Sequence, residues 1–123
     1  PPGVHEVLMV DGSGAILEGF SSNFFGILAG ELRTAEEGVL AGVTRGIALR
    51  AAEGLLPIRH APVIQTDIPH LQEAFITSAS REVMPVVRIN DDVIGDGRPG
   101  PLTQAIATRF AALVQAESQP PLG

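Results

Sequence analysis

From His5 to Thr34 the chain alternates strand-length apolar runs with breaks of only a few residues. The runs are "HEVLMV" (5–10), "AILEGF" (15–20), "SNFFGIL" (22–28) and "ELRT" (31–34), with "DGSG" (11–14) and "AG" (29–30) among the breaks. Together these runs are read as a meander of antiparallel strands joined by tight, glycine-containing turns.

Beyond the meander the period changes. From Val43 the apolar positions Val43, Ile47, Ala51 and Leu55 recur at helical spacing, flanked by Ala48 and Ala52, which predicts a helix. Thr44 is its expected N-cap and Gly54 its expected terminator. "PIRHAPVI" (57–64) reads as one strand, and "TDIPHLQEA" (66–74) as one short helix with an Asp-then-Pro start. "AFITSAS" (74–80) and "EVMPVVRIN" (82–90) read as strands around a polar turn, after which Asn90, Asp91 and Asp92 turn the chain again. The last helix, "PLTQAIATRFAALVQAE" (101–117), starts with Pro101 and carries Leu102, Ile106, Phe110, Leu113 and Val114 on one face. The pattern predicts one α+β domain over 1–117, mainly antiparallel strands with about three helices, and a tail over 118–123.

Bulk properties narrow the function classes. The 123 residues are 45% apolar, enough for a real core, and with five Phe and no Tyr or Trp that core is aliphatic in the main. A net charge of −6 leaves no basic footprint for nucleic acid, and no apolar run approaches a membrane span. With no cysteine there are no disulfides or thiolate metal sites, which is compatible with a cytoplasmic protein. The start, "PPGVHEV", has no signal-peptide character and no Met, so the chain is expected to be a piece of something longer. All eight basic residues are arginine: Arg33, Arg45, Arg50, Arg59, Arg81, Arg88, Arg98 and Arg109. The chain has no lysine, so no mechanism that needs a lysine amine can run on it alone.

Several motif readings fail on spacing. "GSGAILEG" does not match G-x-G-x-x-G and lies between strands. "NDDVIGDG" (90–97) lacks the EF-hand spacing and its closing glutamate, and is read as a hairpin turn. His5, His60 and His70 have no metal-ligand spacing, and there is no G-x-S-x-G elbow.

Three stretches carry more, each with two readings. Glu18, followed by Gly, Phe, Ser, Ser and Asn, is either a solvated acid at a strand end or a carboxylate held for a ligand. "LAGVTRG" (40–46) is either an ordinary helix start or an anion site made from its open N–H groups. Arg45 falls in the first turn, where a cation opposes the helix dipole, and is less awkward beside an anion. "ITSASRE" (76–82) is either a serine–threonine turn or a backbone nest for an anion at Ser78, Ala79 and Ser80.

In chain order these read E-G-x-S-S-N, L-x-G-V-T-R, T-S-x-S-x-E-V-x-P-V and "IGDGRPGPLTQAI". This pattern resembles the C-terminal domain of the class IV (fold-type IV) pyridoxal-phosphate enzymes, which include branched-chain and D-amino-acid aminotransferases and aminodeoxychorismate lyase. The resemblance runs from about Val7 to the last helix. It implies pyridoxal 5′-phosphate as cofactor, with Glu18 paired to the ring nitrogen, whose pKa such a carboxylate raises. Ser22 and Asn23 would support that glutamate, Leu40 would pack on a ring face, and Val43 and Thr44 would cup the phosphate. Ser78 and Ala79 would touch the phosphate, and Ala79 and Ser80 the substrate carboxylate. Aminotransferases of the family often have threonine where Ala79 stands, which removes one hydroxyl contact.

The Schiff-base lysine of the family would lie before this segment, in an N-terminal domain that this chain lacks. Seventeen residues precede Glu18 and none is lysine, and Pro1 offers only a secondary amine. The expected function is therefore the cofactor-cupping half of an aminotransferase that moves an amino group between an amino acid and a 2-oxo acid. The chain alone should be inactive, and its partners would be those substrates, the missing domain and, in the parent, a second copy in a dimer. Two other readings stay open: a lyase acting on aminodeoxychorismate, and a non-catalytic domain that binds a ligand or partner.

Overall fold

Ser22–Leu28 (β3) is the strand on which the rest is assembled. The computed structural model describes residues 8–10, 15–19, 22–35, 43–78, 83–89 and 91–118. Along one edge, β3 pairs antiparallel with Glu73–Ser78 (β7) from Ser22↔Ser78 to Ile27↔Glu73. Its other edge is shared. Ala15–Gly19 (β2) takes the first two positions, and Glu31–Arg33 (β4) takes the last three.

The expected meander is present. Leu8–Val10 (β1) pairs with β2 across a bulge at Met9/Val10, and the end of β2 pairs in turn with the start of β3. Two residues, Ala29 (φ 52°) and Gly30 (φ 79°), join β3 to β4. Both angles positive is the geometry of a tight hairpin turn that follows the strand twist.

The segment read as one strand over 57–64 is two. Ile58–Arg59 (β5) pairs parallel with β4, whereas Val63–Ile64 (β6) pairs antiparallel with β2. Pro62, which has no N–H for a ladder, stands between them. The helix expected over 66–74 is a 3₁₀ turn over Gln65–His70 that ends just after Pro69, and Glu73 already belongs to β7. "EVMPVVRIN" also divides. Val83–Pro85 (β8) continues the main sheet, while Arg88–Ile89 (β9) forms a separate hairpin with Asp92–Val93 (β10), as its turn residues predicted.

Two long helices complete the α+β fold. Val43–Ala52 (α1) begins one residue before its expected N-cap, so Thr44 lies inside the first turn. It ends as read, with Gly54 at φ 83°. Pro101–Ser118 (α2) extends one residue into the expected tail.

Alternation along β3 and β7 sends side chains to opposite faces. Phe25, Ile27 and Phe75 meet Ile47, Ala48, Ala51 and Ala52 of α1 and Ile106 and Phe110 of α2. Phe24, Ala74 and Ile76 meet Val63, Ile68, Leu71, Ile89 and Ile94. With both faces covered, "FFGIL" (24–28) reads as an unbroken apolar run. No helix among the described residues is long and apolar enough to cross a membrane.

Candidate cofactor site

The helix-covered face of the sheet changes character at one end. Phe25 and Phe75 stand opposite each other in the β3–β7 ladder with their rings stacked, 4.8 Å between centroids and 8° between planes. Two residues further along, the facing pair is Asn23 and Thr77. Both are buried, Asn23 8% exposed and Thr77 0%. The apolar core therefore gives way to an amide and a hydroxyl.

Register carries this polar row across four ladders. Met9 opposes Glu18, Glu18 opposes Asn23, Asn23 opposes Thr77, and Thr77 opposes Val83. The next row sets Gly19 beside Ser22 and Ser22 beside Ser78. Four of the residues singled out in the sequence, Glu18, Ser22, Asn23 and Ser78, thus meet on adjacent central strands. For Glu18, Ser22, Val43 and Ser78 it is the backbone position that is described. Leu40, Ala79 and Ser80 lie outside the described residues.

Helix α1 is tied to the same end of the sheet by two hydrogen bonds. Thr34, just past β4, donates from Oγ1 to the Phe24 carbonyl at 3.0 Å. Arg45, in the first turn of α1, donates from Nη2 to the Ala35 carbonyl at 2.7 Å. Its role as a tether accounts for a cation at a helix start, and its Nε is buried without a partner. The chain of contacts from Arg45 through Ala35 and Thr34 to Phe24 brings the opening of α1, with Val43 and Thr44, toward the strand position next to Asn23.

One member of the site was not foreseen. Thr77 opens the T-S-x-S motif without a role assigned to it there, yet its Oγ1 is buried with no hydrogen-bond partner. Such a group costs about 1–3 kcal/mol relative to one that is satisfied. The only sequence signal was the hydroxyl-rich "ITSAS", which does not distinguish Thr77 from its neighbours.

Among known proteins, residues 2–89 match the amino-transferase class IV family. The chain belongs to the class IV aminotransferases. It is 31% identical over 119 residues to a branched-chain-amino-acid aminotransferase of Pseudomonas aeruginosa, which covers 95% of this chain and 39% of that protein. It is 29% identical over 106 residues to a D-alanine aminotransferase of Staphylococcus haemolyticus, covering 84% of this chain and 38% of the relative. Among solved structures, the branched-chain amino acid aminotransferase from Escherichia coli superposes at a TM-score of 0.82 and 28% identity, over 96% of this chain and 41% of that one. Another branched-chain amino acid aminotransferase, solved with pyridoxamine 5′-phosphate, superposes at a TM-score of 0.84 and 26% identity, over 94% of this chain and 39% of that one. The chain spans about two-fifths of the length of these class IV relatives.

The family uses pyridoxal 5′-phosphate. The residues at this end of the sheet suit such a group. An acidic residue and an amide stand in register, an orphaned hydroxyl lies beside them, and a helix opens at the same end with N–H groups suited to an anion. Among the described residues no cluster of His, Cys, Asp or Glu could hold a metal.

Proposed function

We propose that this chain is the cofactor-cupping part of a pyridoxal-phosphate aminotransferase, which transfers an amino group between an amino acid and a 2-oxo acid. The observation that supports it best is the row Glu18–Asn23–Thr77, with α1 tethered at its end. Bound pyridoxal 5′-phosphate supplies an electron sink for the bonds at the substrate α-carbon. The Glu18 carboxylate keeps the ring nitrogen protonated by direct charge pairing, and Ser22 and Asn23 support it. Val43 and Thr44 bind the phosphate through N–H groups and the threonine hydroxyl. On the same reading Leu40 would pack on the ring, Ser78 and Ala79 would hold the phosphate, and Ala79 and Ser80 would receive the substrate carboxylate.

The amine that would anchor the cofactor and move the α-proton comes from outside these residues, because the chain has no lysine. A second domain is therefore the first partner required, consistent with relatives about two and a half times as long. By itself the chain does not transaminate.

The test is borohydride reduction of the protein as its source makes it, followed by intact-mass measurement. A longer polypeptide carrying one reduced cofactor is expected. A native polypeptide of this length with no adduct, and no lysine-bearing subunit copurifying with one, overturns the reading.

A further inference from the structure

Thr77 fills a valine-shaped site. It is fully buried in a strand, on the face lined by Phe25 and Phe75, and its hydroxyl has no hydrogen-bond partner. Valine would give the same shape without burying an unsatisfied donor, and it is at least as good a strand former. In the free chain, then, the hydroxyl only destabilises. Its neighbour across the ladder is Asn23, whose neighbour on the other side is Glu18. Directly opposed residues of antiparallel strands lie within side-chain reach.

Building on the role proposed above for Glu18, we propose that Thr77 is a positioning residue for the cofactor ring. When the Glu18 carboxylate engages the ring nitrogen, the Thr77 hydroxyl donates to the Asn23 side-chain carbonyl. This holds the Asn23 amide to donate to Glu18. The hydroxyl is unpartnered in the free protein and satisfied in the loaded one, so the network completes itself on binding. Hydrogen-bonded networks of this kind orient the group that touches the cofactor, and their loss is read in that group's behaviour.

The experiment follows the ring nitrogen of ¹⁵N-labelled pyridoxamine 5′-phosphate bound to the full-length protein, by its chemical shift across a pH titration. Variants T77V, T77S, T77A and E18Q are compared with the parent, each also melted without ligand. E18Q is expected to lower the ring-nitrogen pKa strongly. T77V is expected to lower it by about one unit and to weaken binding about tenfold, while its unliganded melting point does not fall. T77S, which keeps the hydroxyl, should restore the parent pKa, and T77A should behave as T77V if the valine variant fails to fold. A parent-like pKa in T77V or T77A, with E18Q low, overturns the role of Thr77 and leaves that of Glu18 standing. A parent-like pKa in E18Q overturns the pairing itself and the Thr77 proposal with it.

Discussion

The Glu73 carboxylate caps a helix that begins twenty-eight residues further along the chain: Oε1 accepts from the Thr103 N–H at 2.6 Å and Oε2 from the Leu102 N–H at 3.1 Å. The first N–H groups of any helix lack partners within it, and here both carboxylate oxygens supply them. Glu73 starts β7 and is only 8% exposed, so the bond pair pins α2 to the sheet where the apolar cluster begins. Gly100 leaves room for it, since a Cβ there would overlap the Glu73 side chain.

E73A is therefore expected to destabilise the fold by about 1–3 kcal/mol, combining loss of a cap with two N–H groups left without acceptors. E73Q keeps one acceptor oxygen and should lose less. Urea unfolding of the three proteins checks the order, and equal stability of all three would show that α2 does not depend on this contact.

Gly26 is required by close approach. A Cβ on it would lie 2.8 Å from Val63 Cγ2 and 2.9 Å from Leu71 Cδ2, on the face of β3 away from the long helices. G26A should cost about 1–3 kcal/mol by overpacking. Adding V63A should recover part of the loss by removing one of the two obstructing methyl groups, so a double-mutant cycle in thermal melts is expected to show favourable coupling.

How far this fold could be read in advance follows the range of the forces involved. The meander, α1 and α2 were legible because strand alternation, turn glycines and helical spacing act within a few residues. The failures lie where a distant partner decides. Nothing in "PIRHAPVI" reveals that its two halves join different strands, β4 and β2. "QEA" looks helical until β3 and the start of α2 claim Glu73 for the sheet. At the site, Glu18, Asn23 and Thr77 all fall in local motifs, but the part played by Thr77 becomes conspicuous only when register sets it beside Asn23 in a buried row.

Ala29 offers a prediction of opposite sign. It holds φ 52° at the first position of the β3–β4 turn, a left-handed conformation that disfavours any Cβ, while the neighbouring Gly30 N–H is anchored by Gln72 Oε1 at 2.7 Å. A29G relieves the strain, less the extra freedom it gives the unfolded chain, and should stabilise by about 0.5–1 kcal/mol. Melting points of A29G and the parent decide it. A fall would mean that the turn is not strained at Ala29.

Arg45 separates two ways of building an anion site at α1. Its guanidinium bonds the Ala35 carbonyl at 2.7 Å, and Ala35 follows Thr34, which is fixed to Phe24 by its hydroxyl. On the proposed reading, this tether holds the first turn of α1 where Val43 and Thr44 can meet a phosphate. R45Q keeps a donor of shorter reach but removes the charge, and R45K keeps the charge but loses the planar fork. If the tether matters most, both should weaken pyridoxamine 5′-phosphate by about tenfold, with unphosphorylated pyridoxamine changed little. If the charge matters most, R45K should bind nearly as the parent does, and only the loss in R45Q should shrink as salt is added. Titration calorimetry of the full-length protein with both ligands at two ionic strengths distinguishes these outcomes. Equal weakening of both ligands in R45Q would instead place the anion away from the start of α1.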